Sequence, residues 1–274
     1  MKKIAVINDL SGFGRCSLSA AIPVISAHNI QCCPLPTGIF SNQTGYESYK
    51  SVDFTEHMND FAAEWKKLGA KFDGILTGFI SNSEQGDIIA RFIDDFKDKN
   101  TVVLVDPVMG DDGRIYQCYD KNSIEAVIMI VSKADIITPN LTELCLLCEE
   151  NYADIIKYRN EELLEKIRGM ASRINKTVIV TGIHLSENTI ANAVLNNNEF
   201  TIIEAKKLGG GFSGTGDILA SYVLSEYLNN KSIETAVRKA SDFIEKAIAC
   251  TVNNSGAKYN PADGIHFESL LNIM

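Results

Sequence analysis

The sequence predicts an α/β fold, a three-layer αβα sandwich around a central, mostly parallel sheet. Short β-branched runs alternate with longer amphipathic ones along most of the chain. The 274 residues are 45% hydrophobic and 22% charged, which is enough apolar material for a sizeable core. No linker, low-complexity tract or internal repeat divides them, so one domain over residues 1–274 is expected.

The elements follow in order. KKIAVI (2–7) is a strand, CSLSAAIPVISAHN (16–29) a helix, and the run from Cys32 to Ile39 a strand. After a polar stretch come a helix in EHMNDFAAEWKKLG (56–69), a strand in FDGILTGF (72–79), a helix in SEQGDIIARFIDDFKDK (83–99) and a strand in TVVLVDPV (101–108). ADIITPN (134–140) reads as strand into loop, LLEKIRGMASRI (163–174) as helix and TVIVTG (177–182) as strand. TIANAVLNNNEFTIIEA (189–205) is a hairpin turning at Asn196 to Asn198. Two helices close the chain, GDILASYVLSEYLNN (216–230) and SIETAVRKASDFIEKAIACTVNN (232–254). In a sheet of this kind, ligands bind at the carboxyl ends of the strands.

Bulk properties exclude several classes of function. The formal charge is -9, from 35 acidic and 26 basic residues with no long Lys/Arg run, which argues against nucleic acid or an anionic membrane as the main partner. In MKKIAVINDL, Asn8 and Asp9 end the apolar run well short of a signal-peptide core or a spanning helix, so a cytoplasmic protein is expected. Seven cysteines, an odd number without a regular framework, point to reduced thiols. Cys145 and Cys148 form a CxxC, but in NLTELCLLCEE the spacing suits a helix and no second CxxC supplies further ligands. They read as two small apolar residues on a helix face.

The stretch GGGFSGTGDILAS (209–221) carries five glycines within eight residues, followed at once by Asp217 and an apolar helix. Gly214, Thr215 and Gly216 fall at the start of that helix, where unpaired amides and the helix dipole favour an anion such as phosphate. No GK[ST] follows, so it is not a Walker A loop. An acid in a first helical turn gains roughly 0.3 to 1 kcal/mol from the dipole without any catalytic task, and the dipole tends to lower its pKa. Phosphoryl transfer through a loose transition state tolerates such a weak base, because it needs mainly positioning and charge stabilisation, with the hydroxyl proton accepted late. An anion site joined to Asp217 supplies both parts.

KKIAVINDLSGFGRCSLS superficially matches a dinucleotide fingerprint, but Ser17 stands at the third glycine position and no ribose-binding acid follows a second strand. Asp9 and Ser11, read as lying just past the first strand, either contact a ligand or cap a turn. Asp106, Asp111 and Asp112 in VVLVDPVMGDDG, with Asn140 and Glu143 in ADIITPNLTEL, place acidic groups after two further strands. Oxygen ligands of this type suit Mg²⁺ shared with phosphates. Taken singly, Glu143 is a first-turn helix acid after Pro139 and Asp106 a pre-proline residue ending a strand; beside the glycine-rich anion site, both favour phosphate chemistry.

These stretches, in order, resemble the ribokinase-like small-molecule kinases, and within them the pyridoxal (vitamin B6) kinases: NDLSGFGRCSL near the start, SNQTGY at 41–46, TGFIS at 77–81, DPVMGDDG at 106–113, TPNLTE at 138–143, TG at 181–182 and GTGD at 214–217. The resemblance implies an αβα sandwich that binds ATP and Mg²⁺ near the GTGD helix and turns the substrate's hydroxymethyl group toward Asp217 as base, with the amides of Gly214, Thr215 and Gly216 as anion hole. It further implies Asp106 and Glu143 around Mg²⁺ and its waters, and Asp111, Asn140, Thr181 and Gly182 on the phosphate side. Asn42, Thr44 and Phe79 are implied to meet the pyridine ring, and Asp9 and Ser11 to touch the substrate from the first loop. A homodimer and a K⁺ requirement are expectations of the same kind, and the glycines of 206–214 suggest a lid there.

Related thiamine-pathway kinases, which act on hydroxymethylpyrimidine and its phosphate, usually carry GTGC where this chain has GTGD, although some bacterial pyridoxal kinases share that cysteine. Asp217 therefore favours a B6 vitamer. NDLSGFGR differs from the commoner first-loop wording and Phe79 replaces a usual tyrosine, which leaves the preference among pyridoxal, pyridoxine and pyridoxamine open. The alternatives are a thiamine-pathway pyrimidine kinase and, from another class, a nucleotide or B6-vitamer binding protein without turnover.

Overall fold

The computed structural model describes residues 1–255 and 259–273. Its centre is a nine-stranded sheet. Six strands run parallel, in the spatial order β9 (Thr177–His184), β8 (Ile136–Ile137), β5 (Val102–Val105), β4 (Gly74–Thr77), β1 (Lys3–Ser11) and β2 (Gln31–Phe40). Antiparallel strands finish both edges: β3 (Ser51–Asp53) beside β2, and the hairpin β10 (Thr189–Asn196) and β11 (Glu199–Lys206) beside β9. Asn197 and Asn198 have φ of 49° and 68°, the left-handed pair that a two-residue turn requires and that asparagine tolerates.

Strand alternation divides the core. From β1, Ala5 and Ile7 face one side and Ile4 and Val6 the other. The first side is covered by α2 (Thr55–Lys67), α3 (Ser83–Phe96), α4 (Lys121–Ser132), α5 (Leu141–Leu147) and α7 (Asn160–Ala171), with the short α6 (Tyr152–Ile155) between the last two. The second is covered by α1 (Ser17–Ala27), α8 (Thr215–Leu228) and α9 (Ile233–Ser255). This is the expected three-layer sandwich. Each core Ile, Leu or Val withdrawn from water contributes about 1.5–3 kcal/mol, which is why strands buried on both faces read as unbroken apolar runs.

One feature of the topology positions the site. After β1 the chain crosses to α1 on one face, and after the adjacent β4 it crosses to α3 on the other. The two connections part at the carboxyl ends of neighbouring strands, the position where sheets of this kind bind ligands.

The structure also adds elements that the sequence pattern passes over. These are α4, α6, the edge strand β3 and a two-stranded ribbon of β6 (Gly110–Asp111) and β7 (Arg114–Ile115). β1 runs on through Ser11, so Asp9 and Ser11 belong to the strand rather than to the loop beyond it. Cys145 is buried in α5 and Cys148 is the helix's C-cap, consistent with small apolar packing residues.

Candidate active site

Gly214 caps α8 with φ of 80°, and a Cβ on it would lie 1.9 Å from the Arg15 carbonyl oxygen. Only glycine lets the chain enter the helix so close to the loop after β1. Among the described residues, no protein group accepts a hydrogen bond from the amides of Gly214, Thr215 or Gly216, while the Gly214 carbonyl already accepts from Ile218. Free amides at the positive end of a 14-residue helix have the chemistry that favours an anion.

Asp217 stands one step inside that helix. Its Oδ1 accepts from Asn8 Nδ2 at 2.9 Å and its Oδ2 from the Ser17 amide at 2.8 Å. Burial and the nearby Asp9 outweigh its hydrogen bonds and push its pKa up to about 6. The expected lowering by the dipole is therefore reversed. A carboxylate poised at about 6 is a better proton acceptor near neutral pH than an ordinary aspartate.

The acidic residues after β5 and β8 converge on the same place. Asp106 Oδ1 accepts from Thr138 Oγ1 at 3.0 Å, and its Oδ2 lies 3.5 Å from where a Cβ on Gly216 would stand. Burial and the nearby Asp217 push its pKa up to about 7. Glu143 is only 4% exposed, and burial and Asp106 hold its pKa well above the usual range. Its two oxygens accept from the amides of Met109 (3.1 Å) and Asn140 (2.9 Å), the second as half of a capping box on α5. Helix cap and site acid are thus one residue. Asn140 donates to the Gly110 carbonyl at 2.7 Å and accepts from the Glu143 amide at 3.0 Å, which fixes the β6–β7 ribbon to α5. Thr181 bridges to Asn140, and its amide donates to the Pro139 carbonyl. Gly182 follows with φ of 68°, and Asp111 is exposed on β6.

Among the described residues no group of three or more His, Cys, Asp or Glu side chains is arranged to hold a metal by itself. The donors fit Mg²⁺ that arrives with phosphates and keeps its waters. Asp106 Oδ2 receives no hydrogen bond from the described residues and is free to meet that water shell, whereas both Glu143 oxygens already serve amides.

On the other side of Asp217, Asp9 is buried and its Oδ2 accepts from Ser11 Oγ at 2.8 Å. Phe79 is half-buried against Phe40 and Tyr119, with ring centroids 6.0 and 5.9 Å away. Asn42 braces its own loop by donating to the Ser48 carbonyl at 2.8 Å, and Thr44 is exposed at that loop's tip. Gln43 between them had been passed over. Its side chain donates to the Ala262 carbonyl and accepts from the Gly45 amide, and its own amide donates to the Phe13 carbonyl, so it ties this loop to the first loop and the C-terminal segment. The 209–213 part of the glycine-rich segment leans on the same C-terminal segment, with Phe212 stacked on Tyr259 at 5.0 Å and the Ser213 amide donating to the Pro261 carbonyl. The sequence reading also missed Asn8, which is 4% exposed and touches Asp217 directly. Its signal was available: an asparagine closing an apolar strand run at a carboxyl end.

The chain is similar to several known proteins. A pyridoxal kinase of Leifsonia xyli is 26% identical over 263 residues, covering 92% of this chain and 90% of the relative. A Bacteroides thetaiotaomicron protein assigned as a phosphomethylpyrimidine kinase and solved with pyridoxal superposes with a TM-score of 0.92 at 34% identity, covering 99% of this chain and 95% of that one. Pyridoxal kinase from Lactobacillus plantarum superposes with a TM-score of 0.88 at 25% identity, covering 100% and 96%. No helix among the described residues is long and apolar enough to cross a membrane. Residues 14–263 match the phosphomethylpyrimidine kinase family model, and the chain belongs to that family of phosphotransferases acting on alcohol groups.

Proposed function

We propose that the protein phosphorylates the 5'-hydroxymethyl group of a vitamin B6 vitamer (pyridoxal, pyridoxamine or pyridoxine) with ATP, giving the 5'-phosphate and ADP by direct in-line transfer. The observation that carries this is Asp217: a half-buried carboxylate held by two neutral donors, in the same helical turn as three free amides, where the sheet's connections part. The choice of a B6 vitamer over a pyrimidine rests on two further points. A structural relative at 34% identity was solved with pyridoxal, and GTGD stands here where thiamine-pathway kinases usually have GTGC.

In this reading the amides of Gly214, Thr215 and Gly216 receive the transferring phosphoryl oxygens. Asp217 holds the acceptor hydroxyl through the lone pairs that Asn8 and Ser17 leave free, and takes its proton late in the transfer. Phe79 presents an apolar face to the pyridine ring, with Asn42 and Thr44 at the rim, and Asp9 and Ser11 line the floor beneath. Asp111, Asn140, Thr181 and Gly182 border the phosphates. Asp106, with Glu143 behind it, would hold Mg²⁺ through water, and the ion would supply neutralisation of charge on the phosphates. All 274 residues act as one kinase domain in the cytoplasm, as a homodimer, with K⁺ as a further requirement and the 206–214 segment closing over ATP.

The family's own description favours one competing substrate, the phosphorylated or free hydroxymethylpyrimidine. The deciding experiment is coupled ADP release with Mg-ATP, offering the three B6 vitamers and hydroxymethylpyrimidine in parallel. Turnover of the vitamers that collapses in Asp217→Asn supports the reading. Turnover confined to the pyrimidine reassigns the acceptor, and binding without ADP release identifies a binding protein.

A further inference from the structure

We propose that Asn8 is a positioning residue that aims the Asp217 carboxylate and sets the Phe79 backbone with the same carboxamide, and that residue 78 is glycine because any side chain there would displace that carboxamide. The proposal rests on the kinase reading and names a residue that reading does not require.

Asn8 is 4% exposed and every polar atom of its side chain is engaged. Nδ2 donates to Asp217 Oδ1 at 2.9 Å, while Oδ1 accepts from the Asp9 amide at 2.9 Å and the Phe79 amide at 2.9 Å. The orientation of the carboxamide follows from its partners: turned over, it would aim an NH₂ group at two amide donors and an oxygen at a carboxylate. Two main-chain hydrogens thus lock the group, and the locked group presents a single N–H to Asp217. The Ser17 amide holds the other carboxylate oxygen. With Asn8 absent, only that one donor remains, and the carboxylate can rotate about its last bond.

Gly78 shows how closely the site is built around this group. A Cβ there would come within 2.5 Å of Asn8 Nδ2, 2.7 Å of Cγ and 2.9 Å of Oδ1, closer than such atoms approach in real proteins. Gly78 has no positive φ, so space and not backbone conformation demands the glycine. Its amide donates to the Ile7 carbonyl at 3.0 Å, which continues the β1–β4 pairing one residue past the strand and holds its Cα against Asn8. Neither partner can retreat: the carboxamide is fixed by three hydrogen bonds and the glycine by the ladder.

The experiment measures kcat and KM for ADP release with Mg-ATP and pyridoxal in Asn8→Ala, Gly78→Ala and their combination, and in Asn8→Ala combined with Asp217→Asn, with melting temperatures alongside. A hydrogen bond to a charged group is worth roughly 1.5–3 kcal/mol, so Asn8→Ala and Gly78→Ala are each expected to lower kcat about tenfold to a hundredfold while KM for ATP stays within about twofold. Adding Gly78→Ala to Asn8→Ala is expected to cost nothing further, because the methyl fills space the carboxamide has left. Adding Asn8→Ala to Asp217→Asn is expected to leave residual kcat unchanged, since the residue acts through a base already removed. Should Asn8→Ala fold poorly, the combination with Gly78→Ala fills the cavity and carries the same readout. Asn8→Leu keeps the volume and has no donor, so activity near wild type in that variant would overturn the proposal, as would an Asn8→Ala loss of equal size with and without Asp217. A wild-type chain that releases no ADP with any acceptor overturns the kinase reading and this proposal together. An active wild type with additive losses overturns only this one.

Discussion

The two ends of α8 each hold a carboxylate largely withdrawn from water, Glu226 buried and Asp217 half-buried, and they treat it in opposite ways. Near the C-terminal end, Glu226 is 8% exposed and accepts from Lys239 Nζ at 2.9 Å, with His28 Nε2 3.6 Å from its other oxygen. Near the N-terminal end, Asp217 has only neutral donors, and among the described residues no salt bridge involves Asp217, Asp106, Glu143 or Asp9. An unpaired buried carboxylate costs several kcal/mol and persists only where something else compensates. Charge is matched inside the chain at one end of the helix and left for a ligand to match at the other. That difference separates a structural acid from one available for chemistry.

The largest effect belongs to Asp217. Asp217→Asn is expected to lower kcat at least about a hundredfold, in the range for loss of a general base, with little change in melting temperature. Glu226→Gln, the same change of charge at the other end of the helix, is expected to leave kcat within about twofold. Steady-state ADP release on the pair checks both, and equal losses would erase the distinction. Next comes Gly214→Ala, which forces a Cβ against the Arg15 carbonyl at a φ of 80°. Strain of that kind costs on the order of 1–3 kcal/mol, so a drop in melting temperature of about 5 °C is expected from thermal unfolding, together with loss of ATP binding.

A third effect has the sign opposite to most active-site substitutions. In the folded chain the pKa of Asp106 is raised to about 7 and that of Asp217 to about 6. A carboxylate with a raised folded pKa binds more protons folded than unfolded between pH 4 and 7, so stability falls as pH rises through that window. Asp106→Asn removes one such group. The ligand-free variant is expected to melt a few degrees higher than wild type at pH 8, to show a flatter dependence between pH 5 and 8, and to lose most of its activity with Mg-ATP. Thermal unfolding at pH 5 and pH 8 reads it directly. A variant less stable than wild type at pH 8 would mean that Asp106 is compensated within the chain after all.

Much of the fold was legible because its signals are local. The apolar runs of β1, β5 and β9, the amphipathic faces of α2 and α3 and the Asn-Asn turn each declare themselves within a dozen residues. The candidate anion site was legible for the same reason, since its amides, its glycines and Asp217 are contiguous. Other features depend on contacts that no window of sequence contains. Asn8 reaches Asp217 across 209 positions, and the demand for glycine at 78 comes from residue 8. The direction of the Asp217 pKa was misread because the helix dipole belongs to the sequence neighbourhood, while burial in the fold and the charge of Asp9, 208 positions away, do not. Ser11 was placed past its strand because glycine at 12 suggests a turn, yet the pairing with β2 continues to Phe40.

The smallest effect tests the compensated end. Lys239 is 44% exposed, so solvent already screens much of its attraction for Glu226, and Lys239→Met is expected to cost only about 1 kcal/mol, or roughly 2–4 °C. The cost should depend on pH through His28. Its Nδ1 faces the Val24 carbonyl at 2.8 Å and must carry hydrogen, which leaves Nε2 toward Glu226. Burial holds the His28 pKa below its ordinary value, Glu226 pulls it up and Lys239 pushes it down. Without Lys239 the folded pKa rises, and a His whose folded pKa rises adds stability at low pH that is lost as pH increases through that pKa. The deficit of Lys239→Met relative to wild type is therefore expected to be smaller at pH 5.5 than at pH 8, as histidine takes over the lysine's task, while kcat with Mg-ATP is unchanged. Equal deficits at both pH values would show that the lysine alone compensates Glu226.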